Sequence, residues 1–220
     1  MAFAIWLCGC KTVEKTESKF LLKSAKIQGI QEKSISAEER KVLAEFESHP
    51  LFRKLFEGED PLFVSPEEYK NLSFTVIPVF SLCDSLLKDS GPVNVPDIYK
   101  LNRDMLFFLG KTGDAIVFYM KARFDKNNKW KYTIPALKSE CARWVQKFIQ
   151  KKQTADNQEV FFLDNYSVIH PAWYRNGELF SNMFHLQGRE MDEIAIFKLA
   201  VYNKERIERA KHTENNQVPD

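Results

Sequence analysis

Between Met105 and Ile134 the apolar residues recur at every second position, and this alternation constrains the fold more than any other feature of the chain. Ile116, Phe118, Met120, Ala122 and Phe124 fall on one face of an extended segment, with Tyr119, Lys121 and Arg123 on the other. A period of two belongs to a pleated strand with one buried face. Residues 126–128 turn the chain, and Trp130, Tyr132 and Ile134 alternate with Lys129, Lys131 and Thr133 in the returning strand.

The flanking sequence reads differently. Ser36-Ala37-Glu38-Glu39 is a capping box, in which the serine oxygen takes the amide of the third helical residue and Glu39 reaches back to the cap. Val42, Leu43 and Phe46 then mark one side of a helix that Pro50 ends. Leu51, Phe52, Leu55 and Phe56 make a second short amphipathic turn stopping at Gly58, and Ser65-Pro66-Glu67-Glu68 starts another helix with proline at its first position. Residues 74–87 are apolar enough for helix or strand, although Pro78 excludes one unbroken helix. After Pro135 the period returns to helical, with Leu137, Cys141, Trp144, Val145, Phe148 and Ile149 in one stripe that the polar residues 151–158 close. Residues 160–163 read as a buried strand. Asn176-Gly177 between two alternating runs is a hairpin signal, and residues 193–202 read as a third strand completing a meander.

Helices first, then a mainly antiparallel sheet with one inserted amphipathic helix, gives an α+β fold. Residues 36–204 form the single domain, and 44% apolar residues with 18 Phe suffice for its core. Residues 11–35, rich in Lys, Glu, Ser and Gln, read as a tether whose middle docks on that body. Residues 205–220 read as a charged, disordered tail.

Lys+Arg 32 against Asp+Glu 30 supplies no basic field, so nucleic acid is not an expected partner. No run of 18 apolar residues occurs, so no helical membrane span is expected. Gly110-Lys111-Thr112 fails as a phosphate loop because Met105 stands where the first glycine belongs, and Gly110 and Gly113 read instead as turn glycines. No cofactor is expected.

Two histidines flank the hairpin. With Asn176-Gly177 as a two-residue loop, Arg175 opposes Glu178, His170 opposes Met183 and Val168 opposes His185. His170 and His185 then share one face on a diagonal of roughly 7–8 Å. Tyr174 and Ser181 share that face, while Ile169, Trp173, Phe180, Phe184 and Leu186 form the core side, so the histidine face is expected to look outward or into a cleft. With Asp164 or Asp192 as third group, His170 and His185 are candidates for zinc binding or acid–base catalysis in a metal-assisted hydrolase. The bland alternative is that outward polar residues on an amphipathic strand carry no function.

At the start of the chain, the apolar residues 2–7 are followed by Leu7-Cys8-Gly9-Cys10 and then by Lys11. This order resembles the lipobox of bacterial lipoproteins, with Leu7, Gly9 and Cys10 matching and Cys8 standing where a small residue usually sits. The resemblance implies that residues 1–10 are a signal remnant, that Cys10 is acylated, and that the body is held by lipid at a membrane of the bacterial cell envelope, facing the periplasm or the cell surface. It further implies that Cys83 and Cys141 remain in an oxidising compartment, where they either pair or stay as two buried thiols. The resulting expectation is a membrane-anchored envelope lipoprotein with a non-enzymatic binding or assembly role toward a protein or small ligand. The hydrolase using His170 and His185 is the alternative.

Overall fold

The computed structural model describes residues 26–56, 65–83, 98–134, 140–165, 168–182 and 190–215. A two-residue strand β1 (Lys33–Ser34) leads into helices α1 (Ala37–Glu47), α2 (Pro50–Lys54) and α3 (Pro66–Lys70). Strands β2 (Ser73–Ile77), β3 (Val79–Leu82), β4 (Tyr99–Leu101), β5 (Met105–Thr112), β6 (Ala115–Phe124) and β7 (Trp130–Thr133) follow. Helix α4 (Glu140–Thr154), strands β8 (Phe161–Asn165), β9 (Val168–Arg175), β10 (Glu178–Asn182) and β11 (Glu190–Asp192), and helix α5 (Glu193–Asn215) complete the chain. The fold is α+β, with two sheets rather than one. The first has the order β1-β2-β5-β6-β7 and the second β11-β10-β9-β8-β3-β4. Within these sheets β3 and β8 run parallel, and the other described strand pairs are antiparallel.

Pro78 is the pivot between the sheets. Strand β2 ends at Ile77 in the first sheet and β3 begins at Val79 in the second. Proline has no amide to give to either ladder, so it fits the one residue that belongs to neither. Its carbonyl still accepts the Phe162 amide at 3.0 Å. The ambiguous apolar run is therefore two short strands in different sheets.

Both faces of the first sheet are covered. Phe108, Phe118, Met120, Ala122 and Tyr132 point toward α1–α3 and pack with Val42, Leu43, Phe46 and Tyr69. Phe46 lies 5.3 Å from Tyr132, and Tyr69 lies 5.7 Å from Phe118, ring centre to ring centre. The alternate residues face the second sheet, where Phe107 stacks on Phe162 at 4.2 Å. The far face of the second sheet is covered by α5, whose Ile196 and Phe197 join the same core as Phe161 and Leu163. The layers thus run helix, sheet, sheet, helix.

The expected capping box at Ser36 forms, and the helix start expected at Ser65 proves to be a second capping box, with Glu39 and Glu68 returning to the cap amides. Burial alone would raise the Glu39 carboxyl, but the Ser36 amide, Lys33 and the Ser36 hydroxyl outweigh it and hold it below the ordinary glutamate value. The Asn176-Gly177 hairpin also forms, both residues at positive φ, with Arg175 opposite Glu178.

Three expectations are corrected. Residues 193–202 are not a strand: β11 covers only Glu190–Asp192, and α5 starts at once. Asp192 caps it by accepting the Ala195 amide at 2.8 Å, and the buried residues Ile196, Phe197, Ala200 and Asn203 are spaced for a helix. The helix extends to Asn215, so most of the expected tail is ordered. Residues 26–35, expected within a tether, belong to the body. Ile27 is buried, its amide donates to the Tyr174 hydroxyl, and Glu32 holds Lys111 of β5 and Gln153 of α4.

Gly110 is not a turn glycine either. It lies inside β5, where a Cβ would meet Leu72 Cδ1 at 2.7 Å and Phe118 Cβ at 3.1 Å. Gly113, at φ +57°, does make the turn. Beside Gly110 the pairing slips from Gly110–Phe118 to Lys111–Ile116, a bulge that takes Ile116 out of the regular ladder. Helix α4 answers it. Gln150 accepts the Ile116 amide at 2.7 Å, and Gln146 donates to the Ile116 carbonyl.

Candidate functional site

The histidine expected on an outward or cleft-lining face is buried. His170 is 2% exposed, because α5 covers the face of β9 that carries it. Its neighbours on that face, Ala172 and Ser181, are also fully buried, and Trp173 on the opposite face is equally so. Strand β9 lies between covered faces, so its alternation does not distinguish an outer side.

Around His170 the donors run in one direction. The Tyr99 hydroxyl donates to Asn165 Oδ1 at 2.7 Å, and Asn165 Nδ2 sits 2.8 Å from His170 Nε2. An amide nitrogen can only donate, so Nε2 accepts and the proton sits on Nδ1. His170 Nδ1 donates to Ser181 Oγ, and Ser181 Oγ donates to the Pro171 carbonyl at 2.8 Å. Asn203 of α5 donates to the Asn165 carbonyl at 3.5 Å. Burial pushes the imidazole down to about 4 from its ordinary value, which keeps it neutral. Both ring nitrogens are engaged and the nearby hydroxyl is inaccessible, so this Ser-His-Asn arrangement works as a polar tie within the core.

The other candidates do not join His170. Asp164 lies on the opposite face of β8, accepting a hydrogen bond from Ser81 Oγ at 3.0 Å, while Asn102 donates to the same Ser81 oxygen at 2.7 Å. Lys121 of β6 approaches this group from the facing sheet. Burial lowers its ammonium, the Asp164 charge opposes that, and Arg123 adds to it. Asp192 is the cap of α5. His185 and Cys10 lie outside the described residues, as does the Cys141 side chain. Cys83 is half-buried at the end of β3, with its amide on the Ile98 carbonyl at 2.7 Å. Among the described residues no group of three or more His, Cys, Asp or Glu side chains could hold a metal.

Sequence reasoning placed Ser181 on the face of His170 but missed Asn165 as the partner of the ring, Tyr99 as the donor to Asn165, and Lys121 as a half-buried cation. The legible signal was Asp164-Asn165, two polar residues closing the apolar run of β8.

Two open grooves lie along α1. One, of about 650 Å³, opens between α1 and the end of the first sheet, with Val42, Val76, Leu106 and Trp130 as its apolar wall. At its rim Lys33 pairs with Glu39 at 2.9 Å and Lys41 with Glu38 at 3.3 Å. The other, of about 700 Å³, lies between α1 and α3 and is lined by Leu43, Phe52, Tyr69 and Phe74, with Arg40 and Glu47 at the edge. Burial, helped by the neighbouring Glu47, pushes the Tyr69 hydroxyl well above its ordinary range, so it stays protonated and donates to Glu47 at 3.4 Å. Grooves of this size and lining suit an apolar side chain or a small ligand. Comparison with family models, with curated proteins and with solved structures gives no match.

Proposed function

We propose that the chain is a bacterial envelope lipoprotein, anchored at Cys10, whose α+β body binds a protein or small ligand without chemistry of its own. The observation that carries this reading is the order of residues 2–11: an apolar run, Leu7-Cys8-Gly9-Cys10, then an abrupt change to charge. Acyl chains on Cys10 would hold the body at a membrane surface, each buried methylene contributing about 0.8 kcal/mol. The binding role is supported by the aromatic and aliphatic grooves along α1, and by His170 having both ring nitrogens engaged in the core.

The test is the intact mass of the protein recovered from bacterial membranes, expressed with a full signal segment ahead of residue 1. The expected mass is that of a chain beginning at Cys10 plus acyl groups, with the Cys10→Ser variant leaving the membrane fraction. An unmodified chain that retains Ala2 and stays in the soluble fraction would overturn the reading.

A further inference from the structure

The relay through His170 joins four strands of the second sheet to the helix that covers them. Tyr99 comes from β4, Asn165 from β8, His170 from β9, Ser181 from β10, and Asn203 of α5 reaches the Asn165 backbone. Each donor in the chain has one acceptor, and the last acceptor is the carbonyl of Pro171. Such a series works in a single protonation state. A second proton on His170 would set Nε2–H against the Asn165 amide, donor facing donor at 2.8 Å. Turning the Asn165 amide over would present its oxygen to the ring, but would leave the buried Tyr99 hydroxyl without its acceptor.

Nothing among the described residues of the neighbouring elements balances the charge. Among the described residues, burial is the one cause acting on the His170 ring. Tyr99 is itself kept protonated, held above its ordinary range by burial in spite of the Asn165 hydrogen bond, with the Asp164 charge adding to the rise. Asp164 lies on the other face of β8 against Ser81, and Glu193 at the start of α5 acts on Tyr174. Strands β8, β10 and helix α5 offer the ring the neutral residues Asn165, Ser181 and Asn203. A buried imidazolium there must therefore reach water.

We propose that this relay is an acid-sensitive clamp, closed by neutral His170 and opened by its protonation, and that opening releases α5 from the second sheet. Helix α5 is the part that yields because of how each neighbour is held. Strands β3, β8, β9 and β10 are joined by backbone ladders, whereas α5 rests on them through side chains, Asn203 reaching the Asn165 carbonyl at 3.5 Å. The released surface is the apolar face around Phe161, Leu163, Ala172 and Leu179. A conformational switch of this kind needs one titrating group and one element that can take two positions, and His170 and α5 fill these roles.

Hydrogen exchange of the full chain at about pH 7 and about pH 4.5, corrected for intrinsic rates, tests the proposal. Peptides over residues 193–203 should lose protection by roughly 50-fold at the lower pH, the ratio set by an ordinary histidine in the open state and a suppressed one in the closed. Peptides over residues 105–124 in the first sheet exchange only when the whole domain unfolds, so they should stay better protected than α5 at both pH values. Equal protection in the two regions, or no added loss in α5, overturns the proposal. In the Asn165→Asp variant a carboxylate faces Nε2 and can hold the imidazolium, so α5 should stay protected at both pH values; release like that of the parent chain would also overturn it.

Discussion

Removing the Phe162 ring tests the sheet-on-sheet arrangement most directly. Phe162 is 2% exposed and stacks on Phe107 of the facing sheet, ring centres 4.2 Å apart and planes 27° from parallel. A buried aromatic removes about 150–250 Å² from water, worth about 4–6 kcal/mol at about 25 cal/mol/Å². Alanine keeps part of that and leaves a cavity, so Phe162→Ala should cost about 3–5 kcal/mol. With a urea m-value of about 3 kcal/mol/M, the unfolding midpoint should fall by about 1–1.5 M. Phe107→Ala breaks the same contact, so the double variant should cost about 1 kcal/mol less than the sum of the singles. Phe161 supplies the control. It points to the opposite face, stacked on Tyr174 at 5.8 Å beneath α5, so Phe161→Ala should cost as much alone yet add to Phe107→Ala without coupling. A cost for Phe162→Ala below about 1 kcal/mol, or coupling of Phe107 to Phe161 and not to Phe162, would refute the assigned faces of β8.

Two further perturbations have signs fixed by geometry. Gly110→Ala places a methyl against Leu72 and the Phe118 Cβ; Leu72 can move but the Phe118 Cβ cannot, so thermal unfolding should show a loss of about 1–3 kcal/mol, partly restored by adding Leu72→Val. The depressed His170 makes the unfolded chain bind the extra proton first, so its contribution to stability is intact above about pH 6.5 and declines as pH falls toward about 4. Urea midpoints over that window should record a loss of about 3 kcal/mol from this group, and the His170→Asn variant, though less stable at neutral pH, should lack that slope.

What could be read from the sequence was whatever local chemistry decides. The capping boxes at Ser36 and Ser65 need only four consecutive residues, and the Asn176-Gly177 turn needs two residues that tolerate positive φ. Helix α5 was obscured because residues 193–202 carry apolar side chains on all sides. Ile194 and Tyr202 are more than half exposed, while the buried stripe of Ile196, Phe197 and Ala200 ends in a polar Asn203. An alternating reading and a helical one both fit such a segment, and the Asp192 cap decided between them. The histidine site followed that error. With 193–202 taken as a strand, no helix was assigned to the far face of β9, so His170 was read on an outward or cleft-lining face and not in the core.

The placement of residues 26–35 has its own consequence for the proposed anchor. Ile27 is tied to Tyr174 in the second sheet, Glu32 to Lys111 and Gln153, and Lys33–Ser34 to β2 in the first sheet. The stretch therefore crosses from one sheet to the other, and its contacts are spread along its length, so force applied at its N-terminal end meets the Tyr174 contact first. Lys26, the first described residue, lies over the Tyr174 ring at 5.5 Å. Fifteen residues separate Lys26 from Cys10 in the sequence, and they can span at most about 50–55 Å whatever their conformation. An anchor on Cys10 would thus keep the Tyr174 edge of the second sheet within that distance of the lipid. The groove between α1 and α3 lies beyond the first sheet, in the outermost helical layer on the opposite side of the molecule from α5, whereas the other groove also reaches Val79 and Leu101 of the second sheet. A ligand or partner taken up between α1 and α3 would meet the layer separated from α5 by both sheets.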